Sequence, residues 1–90
     1  MQPRFVWDRR KADRNLRDHG VAFEEATEVF YDDRAVIEDD PDPDEERFSI
    51  IGMSRKGMLF VVYTERGEDT IRIISARSAA KHEVRAYHHR

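Results

Sequence analysis

Met58-Leu59-Phe60-Val61-Val62-Tyr63-Thr64-Glu65 is the stretch that decides the fold of this 90-residue chain. Alternation sets Leu59, Val61 and Tyr63 against Met58, Phe60 and Val62. Both faces are therefore apolar over most of its length, as a strand in the middle of a sheet requires. Two more β-rich runs flank it, Arg47 to Ser54 and Thr70 to Ala76, separated from it only by Arg55-Lys56-Gly57 and Arg66-Gly67-Glu68-Asp69. Such short breaks, each containing glycine, predict hairpins and hence an antiparallel meander.

Towards the N-terminus, Asp39-Asp40-Pro41-Asp42-Pro43-Asp44 is expected to be an exposed loop, because its prolines lack donors and its charges repel one another. Arg34 to Glu38 reads as a short strand, with Tyr31 to Asp33 as the turn before it. Phe23 to Phe30 reads as a helix with Phe23, Ala26, Thr27 and Phe30 on one face. A further helix runs from an Asp8 cap to His19, stopped by Gly20, with Ala12, Leu16 and His19 as a narrow buried stripe. Arg4 to Trp7 is a first strand. Beyond the meander, Ser78 is expected to cap a last helix that turns Ala80, Val84 and Tyr87 inward. The expected fold is α+β: one domain over 1–90, with a small antiparallel sheet of about five strands, two N-terminal helices and one C-terminal helix.

Composition limits what such a domain can do. Hydrophobic and charged residues each make up 39% of the chain, so the core is thin and a partner protein is one way to complete it. Absence of cysteine removes disulfides, thiolate catalysis and sulfur-ligated zinc. No apolar run suggests a signal peptide or a membrane span, which makes the cytoplasm the expected compartment and a membrane partner unexpected. Net charge is −3, yet seven acids lie between Glu38 and Glu46, so the rest of the chain carries +4. Residues 1–20 and 66–90 each hold six bases against three acids. Two basic ends flank an acidic middle.

Four local patterns, covering nearly the whole chain, resemble the BrnT family of toxins. The first is Phe5-x-Trp7-Asp8-x-x-Lys11-x-x-x-Asn15-Leu16-x-x-His19-Gly20-Val21-x-Phe23, followed by Glu24-Glu25-Ala26. The second is Glu46-Arg47-Phe48 with Ile51-Gly52 and Ser54, and the third is Tyr63-Thr64-Glu65-Arg66-Gly67. The fourth is Arg72-Ile73-Ile74-Ser75-Ala76-Arg77, with Ala79, Glu83 and Tyr87 behind it. The resemblance implies a RelE-like fold, RNA cleavage, inhibition of translation, and neutralisation by a BrnA-type antitoxin with a ribbon-helix-helix DNA-binding domain. Operator DNA would then be contacted only through the antitoxin.

RNA cleavage without a metal needs a base for the 2′-hydroxyl proton, a cation for the phosphate, and an acid for the leaving 5′-oxygen. Arg77 is the first candidate cation, expected where a strand gives way to a helix; Arg66, at the preceding turn, is the second. Glu46 beside Arg47 offers a base next to a phosphate ligand, or else a structural ion pair. Arg72 either meets RNA or pairs with Glu65 or Glu46 across the sheet. His19 is a general acid or base, or else packs and caps its helix; it shares a helical face with Lys11 and Asn15, eight and four residues back. Tyr63 either positions substrate or sits in the core, and Trp7 either stacks on a base or anchors the first helix. His82, His88 and His89 do not fall on one helical face, so no metal or other cofactor is expected. The competing reading is a non-catalytic binding module completed by a partner protein.

Overall fold

A computed structural model describes residues 2–89. Its elements are β1 (Arg4–Val6), α1 (Arg9–His19), α2 (Phe23–Ala26), a 3-10 helix (Thr27–Tyr31), β2 (Val36–Asp39), β3 (Phe48–Ser54), β4 (Gly57–Arg66), β5 (Thr70–Ser78) and α3 (Lys81–His88). The five strands form one sheet in the order β1-β5-β4-β3-β2, with β4 in the middle as its doubly apolar sequence predicts. Pairing is antiparallel except between β1 and β5, which run parallel: the Arg4 N–H donates to the Asp69 carbonyl at the start of β5.

Helix α1 begins and ends as its sequence predicts. Asp8 accepts a hydrogen bond from the Lys11 N–H, and Gly20 takes the left-handed conformation with φ 71° while its N–H donates to the Leu16 carbonyl. Its buried face differs from expectation. Asn15 is the buried residue, whereas Leu16 is 51% exposed and His19 lies in solvent. The expected second helix changes type after one turn. Phe23 and Ala26, buried in the α-helical turn, are followed by buried Val29, and the tightening to three residues per turn after Ala26 brings Val29 onto their line.

The core lies between these helices and the inner face of the sheet, which presents Ile50, Leu59, Val61, Tyr63, Ile73 and Ala76. Gly52 lets the 3-10 helix close on β3, since a Cβ there would stand 2.9 Å from that of Val29. Trp7 packs edge-on to Phe23 with ring centroids 5.8 Å apart, which is the anchoring role. The outer face carries Ser49, Ile51, Phe60, Val62, Thr64, Arg72, Ser75 and Arg77, the cross-strand partners that alternate with the core residues.

Two boundaries near the C-terminus are corrected. β5 runs on to Ser78, and α3 is capped from Ala80, whose N–H donates to the Glu83 carboxylate at 2.8 Å. Ser78 is thus the end of a strand and not a helix cap. Arg77, the last-but-one residue of β5, stands near where the strand gives way to α3, as expected. Of the inward residues expected on α3, Tyr87 is buried and donates its hydroxyl proton to Asp32, while Glu83 is buried beside it on the same helix.

Candidate functional site

Regular alternation would put Arg72 and Arg77, five residues apart, on opposite faces of β5. They share the outer face because β5 has a bulge. Val62 pairs with Ser75 and Tyr63 with Ile73, so Ile74 is an extra residue with no partner of its own. Arg72 then faces out opposite Thr64, Ser75 opposite Val62, and Arg77 opposite Phe60.

At the bulge β5 is also an open edge, because β1 pairs only with Thr70 to Arg72. Asn15 closes it from α1. Its carboxamide oxygen accepts from the Ala76 N–H at 3.0 Å and its amide nitrogen donates to the Ala76 carbonyl at 2.8 Å, mimicking a strand neighbour. A further bond from the same nitrogen to the Val21 carbonyl ties down the chain after α1. Beside this joint lies a shallow cleft lined by Lys11, Arg14, His19, Ile74 and Ser75, with Asn15 beneath and Asp18 at the rim. Ser75 belongs to both the cleft and the outer face, between the two arginines.

Arg77 is held firmly. Its Nη1 and Nη2 each donate to one oxygen of Glu83 at 2.8 Å, Nη1 also donates to the Ser78 carbonyl, and its guanidinium lies 4.3 Å from the centroid of the Phe60 ring. The bonds to Glu83 raise the guanidinium's affinity for its proton. Burial pushes the Glu83 carboxyl up, but its bonds from Arg77 and the Ala80 N–H, together with the charge of Arg77, bring it below the usual carboxylate value.

The remaining sequence candidates are scattered. Arg66 ends β4 on the outer face, but six residues along that strand from Phe60, roughly 20 Å at about 3.3 Å per residue, so it does not meet Arg77. Arg72, half-buried, makes no ion pair among the described residues; neither Glu65 nor Glu46 reaches it. Glu46 is exposed, and its carbonyl accepts the Thr64 hydroxyl opposite Arg72. Arg47 is committed elsewhere: it binds Asp40 at 3.1 Å and Asp42 at 2.9 Å, closing the acidic loop onto itself. Tyr63 is buried on the inner face against Phe30 and Phe48, and burial, with the charge of Glu65 adding to it, pushes its hydroxyl up to about 12. That side chain is core and does not reach the cleft.

Sequence reading missed the bonding roles of Asn15 and Glu83 and the place of Ser75. Ala80-x-x-Glu83 was a legible capping signal. An asparagine inside a helix was a weaker one, and Ser75 gave none.

A search of curated proteins found no match. The model of the family described as ribonuclease toxin, BrnT, of type II toxin–antitoxin system matches residues 7–83. The chain belongs to this family. The crystal structure of the Brucella abortus ribonuclease toxin, BrnT, is similar in fold, with a TM-score of 0.67 at 24% identity over 89% of this chain and 100% of that one. The α+β arrangement of three helices and a five-stranded, mostly antiparallel sheet is thus that of a BrnT toxin. Within this BrnT domain, no three His, Asp or Glu side chains among the described residues converge on a site for a metal ion. Nor is any described helix long and apolar enough to cross a membrane.

Proposed function

We propose that this BrnT-family chain is an endoribonuclease that cuts RNA at the cleft between α1 and the bulge of β5, using side chains without a metal. The bulge carries this reading, because it sets Arg72 and Arg77 on one face with the cleft residue Ser75 between them. An RNA strand laid over Ser75 would place one backbone phosphate at Arg77 and a neighbouring one at Arg72, with Lys11 and His19 across from them on α1.

The reaction conserves atoms without a co-reactant. The 2′-hydroxyl oxygen attacks the adjacent phosphorus and gives up its proton, the bond to the 5′-oxygen breaks, and that oxygen takes up a proton. The products are a 2′,3′-cyclic phosphate and a 5′-hydroxyl end. Imidazole is suited to moving such protons near neutral pH, which assigns that task to His19, exposed at the cleft. The arginines stabilise the negative charge that grows on the phosphate oxygens. Arg66, farther along the same face, would serve flanking nucleotides. Glu46 stands at the Arg72 end, away from Arg77. This reading leaves Tyr63, buried in the core, and Arg47, bonded to its own loop, out of the set that contacts RNA.

The partner proposed is a ribbon-helix-helix antitoxin of BrnA type, an acidic segment of which covers the cleft and excludes RNA, and which alone contacts operator DNA. Incubating the purified chain with RNA in EDTA tests the enzymatic reading. Cleavage to 2′,3′-cyclic ends is expected, and His19→Ala should lower the rate by about 100- to 10,000-fold, the usual range for loss of a proton-transfer group. If no RNA is cut and withholding the antitoxin does not arrest growth, the chain is a binding module. If EDTA alone stops cleavage, the metal-free mechanism is wrong.

A further inference from the structure

An arginine carries five N–H donors, and Arg77 has three of them engaged: two with Glu83 and one with the Ser78 carbonyl. Both bonds to Glu83 come through the Nη atoms, end-on. The Nε–H and the outer Nη2–H are left, and these two are parallel and lie along one edge of the planar group. Among the described residues nothing else bonds to them. They are not sealed in: the Arg77 side chain is 39% exposed while that of Glu83 is 7% exposed. Phe60 fixes the plane of the guanidinium from one side, and Glu83 fixes its rotation within that plane.

We infer that Glu83 is a positioning residue for RNA cleavage, one that occupies the end of Arg77 and so presents its Nε–H and Nη2–H edge as a preformed fork for two phosphate oxygens. This deepens the proposed function and rests on its placing of the phosphate at the outer face of β5. Glu83 itself touches no substrate. It is anchored independently of Arg77 by the Ala80 N–H at the first turn of α3, so the fork is aimed from a helix and not from a loop. An arginine left free would have to be ordered anew by each incoming phosphate, losing rotamer freedom as it did so. Lysine cannot replace Arg77 in this arrangement, because an ammonium held by Glu83 has no second fork to offer.

Two readouts on the full chain test this, one of which does not depend on activity. In the native chain the Arg77 Nε–H resonance, followed by 15N-1H NMR, should shift on addition of a short 2′-deoxy oligonucleotide, which lacks the attacking hydroxyl and cannot be cut. In Glu83→Gln, shown to be folded by circular dichroism, that shift should be lost or much reduced. The same variant should cleave RNA with kcat lowered about 10- to 100-fold and KM changed far less, the pattern of a misaimed group acting in the transition state. Arg77→Lys should be as slow as Arg77→Ala. If Glu83→Gln melts below the assay temperature, Glu83→Asp replaces it, since it keeps the charge but withdraws it by one methylene.

An Nε–H that ignores the oligonucleotide in the native chain overturns the inference, as does a folded Glu83 variant with unchanged shift and kcat. If the native chain binds through the fork yet cuts no RNA, the ribonuclease reading fails and the fork stands.

Discussion

One carboxamide holds the open edge of the sheet. Asn15 meets the N–H and C=O of Ala76 and the C=O of Val21, and all these bonds are buried. Replacing it with leucine leaves three backbone groups without partners, which should cost about 3–9 kcal/mol in urea unfolding, since each stranded buried group costs about 1–3 kcal/mol. A loss below about 1 kcal/mol would show that α1 can move away and let water take its place. Glu83 makes a second residue-scale prediction, through pH. Its carboxyl lies below its ordinary value of 4.5 in the folded chain, so its contribution to stability is complete above 4.5 and disappears as pH falls through the folded value. The urea midpoints of the native chain and Glu83→Gln should therefore differ clearly above pH 5, where Arg77 and the neighbouring His82 both bear on the carboxylate, and converge in acid. A gap that persists unchanged into strong acid would mean that the loss comes from the altered packing and not from the charge.

At the scale of elements, the sequence was legible wherever a pattern is local and illegible where it depends on a partner strand. The doubly apolar run of β4, the Asp8 cap and the Gly20 stop state their roles within a few residues, and each was read correctly. The 3-10 segment escaped because Phe23, Ala26 and Val29 fit a three-residue repeat only once Val29 is known to be inside. The bulge at Ile74 could not be read at all: it is a mismatch in count between β4 and β5, and neither strand shows it alone. That one hidden residue decides whether Arg72 and Arg77 share a face, so the fold was largely readable while the candidate site was readable only as a set of names.

Arg47 gives the element-scale prediction. Its ion pairs with Asp40 and Asp42, and the Asp40 N–H bond to its own carbonyl, clasp the loop between β2 and β3. Arg47→Ala should make limited proteolysis within residues 39–46 several-fold faster, because the loop opens locally without unfolding the sheet. RNA cleavage should stay at its native rate. A slower cut with an intact loop would return Arg47 to the substrate surface.

Charge is arranged over the whole molecule so that the total of −3 conceals a cationic surface, the one to which the proposed function assigns RNA. The seven acids sit in β2 and the loop after it, and the Thr64–Glu46 bond brings the end of that loop to the Arg72 end of the outer face. Lys11, Arg14 and His19 of α1 line the cleft instead, and Arg72 and Arg77 of β5 lie on the face to either side of Ser75. On the proposed reading an RNA strand is turned away from the acidic loop and drawn along the row of Arg72, Arg77 and Lys11. Salt dependence measures how many of these cations touch phosphate, because each contact with a single strand releases counterions and adds about −0.7 to the slope of log K against log salt. With Lys11, Arg72 and Arg77 each holding a phosphate, a 2′-deoxy oligonucleotide should bind with a slope of about −2. Lys11→Ala or Arg72→Ala should each flatten it by about 0.7, equally for all sequences, since these side chains meet the backbone and not the bases. A native slope near zero would mean that the row of cations on this face meets no phosphate, and an unchanged slope in either variant would remove that residue from the path.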